Sequence, residues 1–152
     1  SGKKYPLYIE YNWHADSIPV HKVYVPEAYG AGEGFPHQIL GVPFYGEPNS
    51  VCSQTYLCIG YDPSVRKFSK EECKNIVSYI KTRFLRYLVS LKKNTQHSFA
   101  AVYQFVPLQD FTSASDIDWS RPVPEIDAQL YAKYGITTSE QQFIESLIKP
   151  IE

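Results

Sequence analysis

The pattern of apolar and polar positions divides this chain of 152 residues into a β-rich first part and a helical second part. Lys22–Val25 reads as a short strand stopped at Pro26, which has no N–H to give a ladder. His37–Leu40 and Pro43–Tyr45 are predicted as short strands separated by Gly41, and Gly46–Ser50 as a turn. Thr55–Tyr61 is apolar, β-branched or aromatic, the signature of a buried strand.

From Ser69 the period changes to 3.6. Cys73, Ile76, Val77, Ile80, Phe84, Tyr87, Leu88 and Leu91 fall on one stripe, and Ser69 with Glu72 forms a capping box. This predicts one unbroken helix over Lys70–Lys92, about 35 Å long at ~1.5 Å per residue. Lys74, Lys81, Arg83 and Arg86 are expected to project away from the stripe, with Lys92 and Lys93 complementing the helix dipole. Ala101–Val106 alternates and stops at Pro107, predicting a last strand. After a turn at Asp118–Pro122, Ile126, Leu130, Tyr131 and Tyr134 predict a helix over Pro124–Tyr134, closed by Gly135. A second capping box, Thr137 and Glu140, opens a helix whose expected buried face is Phe143, Ile144, Leu147 and Ile148. The expected fold is α+β: a mixed, mostly antiparallel sheet of short strands, one long helix and a C-terminal helical hairpin. Residues 1–21 form an N-terminal flank, 22–111 the sheet and long helix, and 112–152 the hairpin, packed on the same domain.

Composition narrows the class. Hydrophobic residues make up 43% and charged residues 20%, which excludes a disordered chain. No run approaches the ~18 apolar residues of a membrane helix. Met is absent and the chain opens Ser1-Gly-Lys-Lys4, so it reads as a piece of a longer protein. Cys52, Cys58 and Cys73 match no zinc or redox spacing. Buried free thiols at Cys58 and Cys73 are the expectation, and with them a reducing, cytoplasmic location.

Charge changes the picture. The formal net charge is −1, but residues 66–109 carry nine Lys and Arg against only Glu71 and Glu72. That basic segment, net +7, lies between segments of net −3 and −5, an asymmetry that points to an anionic partner.

A search for catalytic chemistry returns little. His14, His21, His37 and His97 share no metal-binding spacing, no nucleophile elbow is present, and Asp62-Pro63 lacks the acid-x-Lys triplet of a metal-dependent nuclease. The loop Tyr29–Gly34, with Gly30, Gly32 and Gly34, runs into Phe35-Pro36 rather than a helix, so it does not read as a nucleotide cradle. It suits either a plain connector or close backbone approach to a polymer. The stretch from Arg83 to His97 is the strongest site candidate. Arg83, Arg86, Lys92 and Lys93 can neutralise phosphates, while Asn94, Thr95, Gln96 and His97 can hydrogen-bond phosphates or base edges. The same residues also describe a solvated helix face followed by a polar loop.

A series of short motifs in order carries a resemblance. Tyr29-Gly-Ala-Gly32, Phe35-Pro-His-Gln-Ile-Leu-Gly41, Glu47-Pro-Asn-Ser50, Gln54-Thr-Tyr-Leu57, Ile80-Lys-Thr-Arg-Phe-Leu-Arg-Tyr-Leu88, Lys92-Lys-Asn-Thr-Gln-His97 and Val106-Pro-Leu-Gln-Asp-Phe111 resemble the C-terminal portion of adenine-specific DNA methylases of bacterial restriction–modification systems. Asp118-Trp-Ser120, Leu130-Tyr-Ala-Lys-Tyr-Gly135 and Phe143-Ile-Glu-Ser-Leu-Ile-Lys-Pro150 are similar to the ends of such chains. The resemblance spans about residues 22–151. It implies a target-recognition region that binds double-stranded DNA beside a catalytic methylase domain of the parent chain. In such parents a Phe-x-Gly-x-Gly-type motif binds S-adenosylmethionine and an Asn-Pro-Pro-Tyr-type motif holds the flipped adenine. Neither motif occurs here, so no cofactor and no catalysis are expected of this chain itself. Tyr29–Gly34 is expected to approach the duplex opposite the 92–97 loop. The alternative is a structural domain that docks other parts of a restriction–modification complex through its acidic C-terminal helices.

Overall fold

In β1 (Lys22–Pro26), Val23 and Val25 enter the hydrophobic core while Tyr24 lies on the opposite face, the period-2 alternation of a strand. The computed structural model describes residues 15–60, 66–95, 97 and 100–151. The predictions at residues 1–14, Tyr61, Asp62-Pro63 and Gln96 lie outside the described residues. β1 is central in an antiparallel three-stranded sheet, between β2 (Phe44–Gly46) and β3 (Tyr56–Ile59). Tyr24, Phe44 and Tyr56 cluster their rings on the face away from the core. Lys22 is buried there with no acid paired to it among the described residues, and its ammonium donates to the carbonyls of Ser17, Ile18 and Val20 at 2.9–3.1 Å.

Helix α1 (Lys70–Lys81) packs on β1 and β2, and both halves of its Ser69–Glu72 capping box are formed. Arg66 ion-pairs with Glu72, and with the Ser69 N–H it holds that carboxyl below its usual range.

The expected single helix is in fact two, α1 and α2 (Arg83–Ser90), separated by Thr82 in an extended conformation at φ −63°, ψ 147°. A restarted helix exposes N–H groups with no partner in the preceding turn. Here each has one. Asp127 accepts from Arg83 and Phe84, both at 2.9 Å, and the Thr82 hydroxyl accepts from Leu85 at 3.2 Å. Apolar periodicity passes unchanged through such a break because both helices face one core. The capping acid comes from 45 positions away in sequence, where a local pattern has no reach.

Asp127 belongs to α3 (Val123–Lys133), which ends in a Schellman turn: Gly135 at φ 64° donates to Ala132 and Ile136 to Tyr131. α4 (Thr138–Leu147) starts at the predicted Thr137–Glu140 box and, with α3, covers α2. The α+β class and the paired C-terminal helices match expectation. Four details differ. Ala101–Val106 is no strand, because Ala100–Tyr103 winds into a 3-10 turn that buries Val102. His37–Leu40 contributes only an isolated parallel bridge from His37 to Ile148, since Ile39 at φ 73° breaks the extended run. Phe143 lies outside the buried face and meets Tyr87 edge-on at the surface. Of the cysteines, Cys73 is buried, Cys58 is half-buried and Cys52 is exposed, all free. Burial pushes the Cys58 and Cys73 thiols up to about 11, which keeps them protonated and unreactive at neutral pH.

Burial pushes Asp127 up to about 6, against the pull of the Phe84 and Arg83 amides and the two arginines. A carboxyl that holds its proton more tightly in the fold stabilises most below its unfolded value near 3.8, and that stabilisation is lost as pH rises to about 6. Wild-type stability relative to Asp127→Asn is therefore expected to fall by about 2 kcal/mol between pH 4 and 7. Asp127→Ala, which removes both acceptors, is expected to cost about 3 kcal/mol at neutral pH. Urea unfolding of the three proteins across that pH range measures both effects.

Candidate nucleic-acid interface

Chain entry and exit at α2 bring together two segments that are 60 residues apart. At the C-terminal end of α2, Lys93 turns back and donates to the Tyr29 carbonyl at 2.8 Å, tying the post-helix loop to the glycine loop. One step further, Ala28 and His97 form an antiparallel bridge, and the His97 ring meets the Glu27 carboxylate at 2.8 Å. Between the two loops lies an open cleft of about 580 Å³. Gly30, Ala31, Glu33, His37 and Ile39 line one wall, and Ser90, Lys93, Asn94 and Thr95 the other.

Gly30 at φ 97° and Gly32 at φ 72° adopt left-handed conformations that disfavour other side chains, which explains two of the three glycines. Gly34 is exposed with a conformation open to any residue, and nothing in the structure requires glycine there. Glu33 folds back under the loop and accepts from the amides of Gln38 at 2.5 Å and Ile39 at 3.4 Å, and from Lys149 at 3.2 Å. Burial opposes its charge, but these donors prevail and hold the carboxyl below its usual range. His37 pairs on both sides with the C-terminal segment, donating to Leu147 and accepting from Lys149. The glycine loop is thus anchored at both ends rather than hanging free.

The sequence-predicted residues divide into two groups. Lys92, Asn94 and Thr95 are exposed and Lys93 and His97 partly exposed. Of the predicted residues Gly30, Lys93, Asn94 and Thr95 line the cleft, while Tyr29, Gly32, Lys92 and His97 lie beside them in the chain without lining it. Lys92 also rests its ammonium over the Phe105 ring at 4.9 Å. Burial holds the Lys93 ammonium below its usual range. Tyr29 and Lys93 are in direct contact, so the glycine loop and the post-helix loop stand side by side as the two walls of one cleft.

Arg86 belongs elsewhere. It is fully buried, and its guanidinium donates to the carbonyls of Lys81, Thr82, Gln38 and Lys149 at 2.8–3.2 Å. It does not project from the helix to meet phosphate as the sequence suggested; an i,i+4 pattern cannot tell a buried guanidinium saturated by carbonyls from an exposed one. Burial pushes it down to about 10, still charged at neutral pH. Arg83 is intermediate: its Nε donates to the Ile148 carbonyl at 2.9 Å and its Nη1 stands 4.0 Å from Glu145. Glu33, His37, Ile39 and Lys149 were missed. No local motif links them, and the bridge of His37 to Ile148 that assembles them joins opposite ends of the chain.

Two other depressions suit a phosphate partner less. One of about 740 Å³ carries Glu71, Glu72, Asp116 and Asp118. The other, about 370 Å³, is an apolar groove between Leu57, Ile80 and Leu108. Among the described residues, no group of three or more His, Cys, Asp or Glu is placed to hold a metal ion, and no helix is long and apolar enough to cross a membrane.

Arg86→Ala would leave several buried carbonyls without a donor and is expected to lower stability by about 3–5 kcal/mol. Lys92→Ala, at the surface, is expected to change it by less than about 0.5 kcal/mol. Urea midpoints of the two variants check this separation of a folding arginine from a surface lysine.

No family model matches the chain, and no curated protein or solved structure compared with it shows significant similarity.

Proposed function

We propose that this chain is the target-recognition domain of a bacterial restriction–modification adenine methyltransferase. In this reading it binds double-stranded DNA along the cleft between Gly30–Gly32 and Lys92–Thr95 and catalyses nothing by itself. The observation that carries the reading is the convergence of the glycine loop and the basic post-helix loop on one open cleft. Lysines there reach phosphate, glycines admit a backbone closely, and Asn94 and Thr95 offer donors and acceptors to base edges or phosphates. Glu33 is already matched by Lys149, so it repels an incoming phosphate less than a bare carboxylate would, and Glu27 is in contact with the His97 ring.

S-adenosylmethionine belongs in this reading to a catalytic domain of the parent chain. The residues here do not fit it. The glycine loop leads into Phe35–Pro36 without opening a helix, and the Gln38 and Ile39 amides beside it are occupied by Glu33. The methylase domain and the duplex are the partners the reading requires.

Binding of a duplex should weaken steeply with salt, with a log–log slope near −0.9 for each phosphate neutralised. Lys92→Ala/Lys93→Ala is expected to flatten that slope by about one to two units and to weaken binding uniformly across sequences. Fluorescence anisotropy over a salt series measures it. Absence of low-salt binding by the unaltered chain would instead support a domain that docks other parts of a restriction–modification complex.

A further inference from the structure

Phe35 is a large aromatic side chain left 66% exposed on a loop that is otherwise firmly held. Two residues before it, Glu33 is pinned to the amides of Gln38 and Ile39; two residues after it, His37 is bridged to Ile148. Pro36 restricts the backbone between them. Its exposure is therefore imposed by the fold and is not the result of a slack loop. The ring has one described aromatic neighbour, His37, which it meets edge-on at 5.7 Å and 87°, so both faces of the Phe35 ring are left unstacked by aromatic partners among the described residues. His37 itself lines the cleft.

Resting on the reading that the cleft binds duplex DNA, we propose that Phe35 is a stacking wedge that inserts its ring against the face of a nucleobase. Two properties of the surroundings favour this occupant. The same loop meets a cation with no acid paired to it among the described residues, Lys93, whose ammonium rests on the Tyr29 carbonyl, while Lys149 neutralises Glu33, so an anionic backbone is drawn to this edge. The ring is also exposed on the loop that carries Gly30, Gly32 and Gly34, two residues from the cleft-lining His37, and an exposed apolar side chain of this kind can part adjacent base steps. Leu108, the most exposed large apolar residue among those described, borders the separate groove, whose described lining carries no Lys or Arg. The wedge role adds a contact that depends on base stacking and not on charge. It thus predicts a response distinct from that of the lysines.

The test compares the full chain with Phe35→Ala, Phe35→Trp and Lys92→Ala/Lys93→Ala, using a short mixed-sequence DNA duplex at low salt as the probe. Phe35→Ala is expected to bind about tenfold more weakly with an unchanged salt slope, and Phe35→Trp to retain wild-type affinity. Permanganate reactivity of duplex thymines, which reports unstacking, is expected to rise with the unaltered chain and not with Phe35→Ala. An exposed substitution leaves the urea midpoint in place, which verifies that the variants fold. If Phe35→Ala binds as the wild type while the lysine variant is weakened, the wedge is overturned and the DNA reading stands. If the unaltered chain fails to bind the duplex, both fall.

Discussion

The three buried polar groups at the junction of α1 and α2 are the constraint from which the rest of this structure follows. Thr82 leaves the helical region, and the N–H groups it exposes would each cost roughly 1–3 kcal/mol if left unpaired. Asp127 and the Thr82 hydroxyl satisfy them, and Asp127 thereby fastens α3 to the start of α2. Arg86, one turn on, collects carbonyls from the end of α1, from Gln38 and from Lys149. The acid and the arginine are not in direct ion-pair contact, yet each moderates the burial cost of the other. A charge removed from water is tolerable when it is well hydrogen-bonded, and here Arg86 reaches four carbonyls and both Asp127 oxygens accept from amides.

The junction also builds the cleft. Arg86 is the link between the Gln38 carbonyl, just past the glycine loop, and the Lys149 carbonyl, in the C-terminal strand-like segment. Those two segments lie against each other through the His37 and Ile148 bridge, which leaves Lys149 in position to ion-pair with Glu33. Lys93 closes the arrangement from the far end of α2. Residues near 30, 93 and 149 are therefore held together by one buried guanidinium and one exposed loop contact at each side. The loops of the cleft are held in place from beneath by the hydrogen bonds of Arg86 to the Gln38 and Lys149 carbonyls.

What could be read from sequence follows from the range of the interactions involved. Both capping boxes, the Schellman glycine Gly135 and the stripe of α1 depend on residues within four positions of each other, and each was legible. The break at Thr82 was not, because its decisive partner is Asp127 and a threonine in a helical pattern has no local mark of a cap. The sheet strands were legible at Lys22–Pro26 and Tyr56–Ile59, where alternation or a continuous apolar run is clear, but Ala101–Val106 shows the limit of the same signal. Four or five alternating residues fit a strand, yet with Val102 alone buried a 3-10 turn serves as well. At the cleft, the basic loop and the glycines were visible as composition. Their adjacency was not, since it depends on a contact between Lys93 and a backbone carbonyl 64 residues away.

The basic segment shows why charge counted along a chain overstates charge offered to a partner. Of its nine cations, Arg86 is consumed by carbonyls in the interior, Arg66 is bound to Glu72, and Lys74 faces Glu71. Arg83 spends its Nε on Ile148, and Lys93 spends a donor on Tyr29. A segment of net +7 therefore presents only a few cations at the cleft, and Lys149 from the acidic tail is likewise spent, on Glu33. Electrostatics of that size attracts and orients a phosphate backbone without holding it tightly. On the proposed reading, a cleft with few cations draws the remainder of its affinity from contacts that salt does not screen, and the exposed Asn94, Thr95 and Phe35 are groups nearby able to supply them.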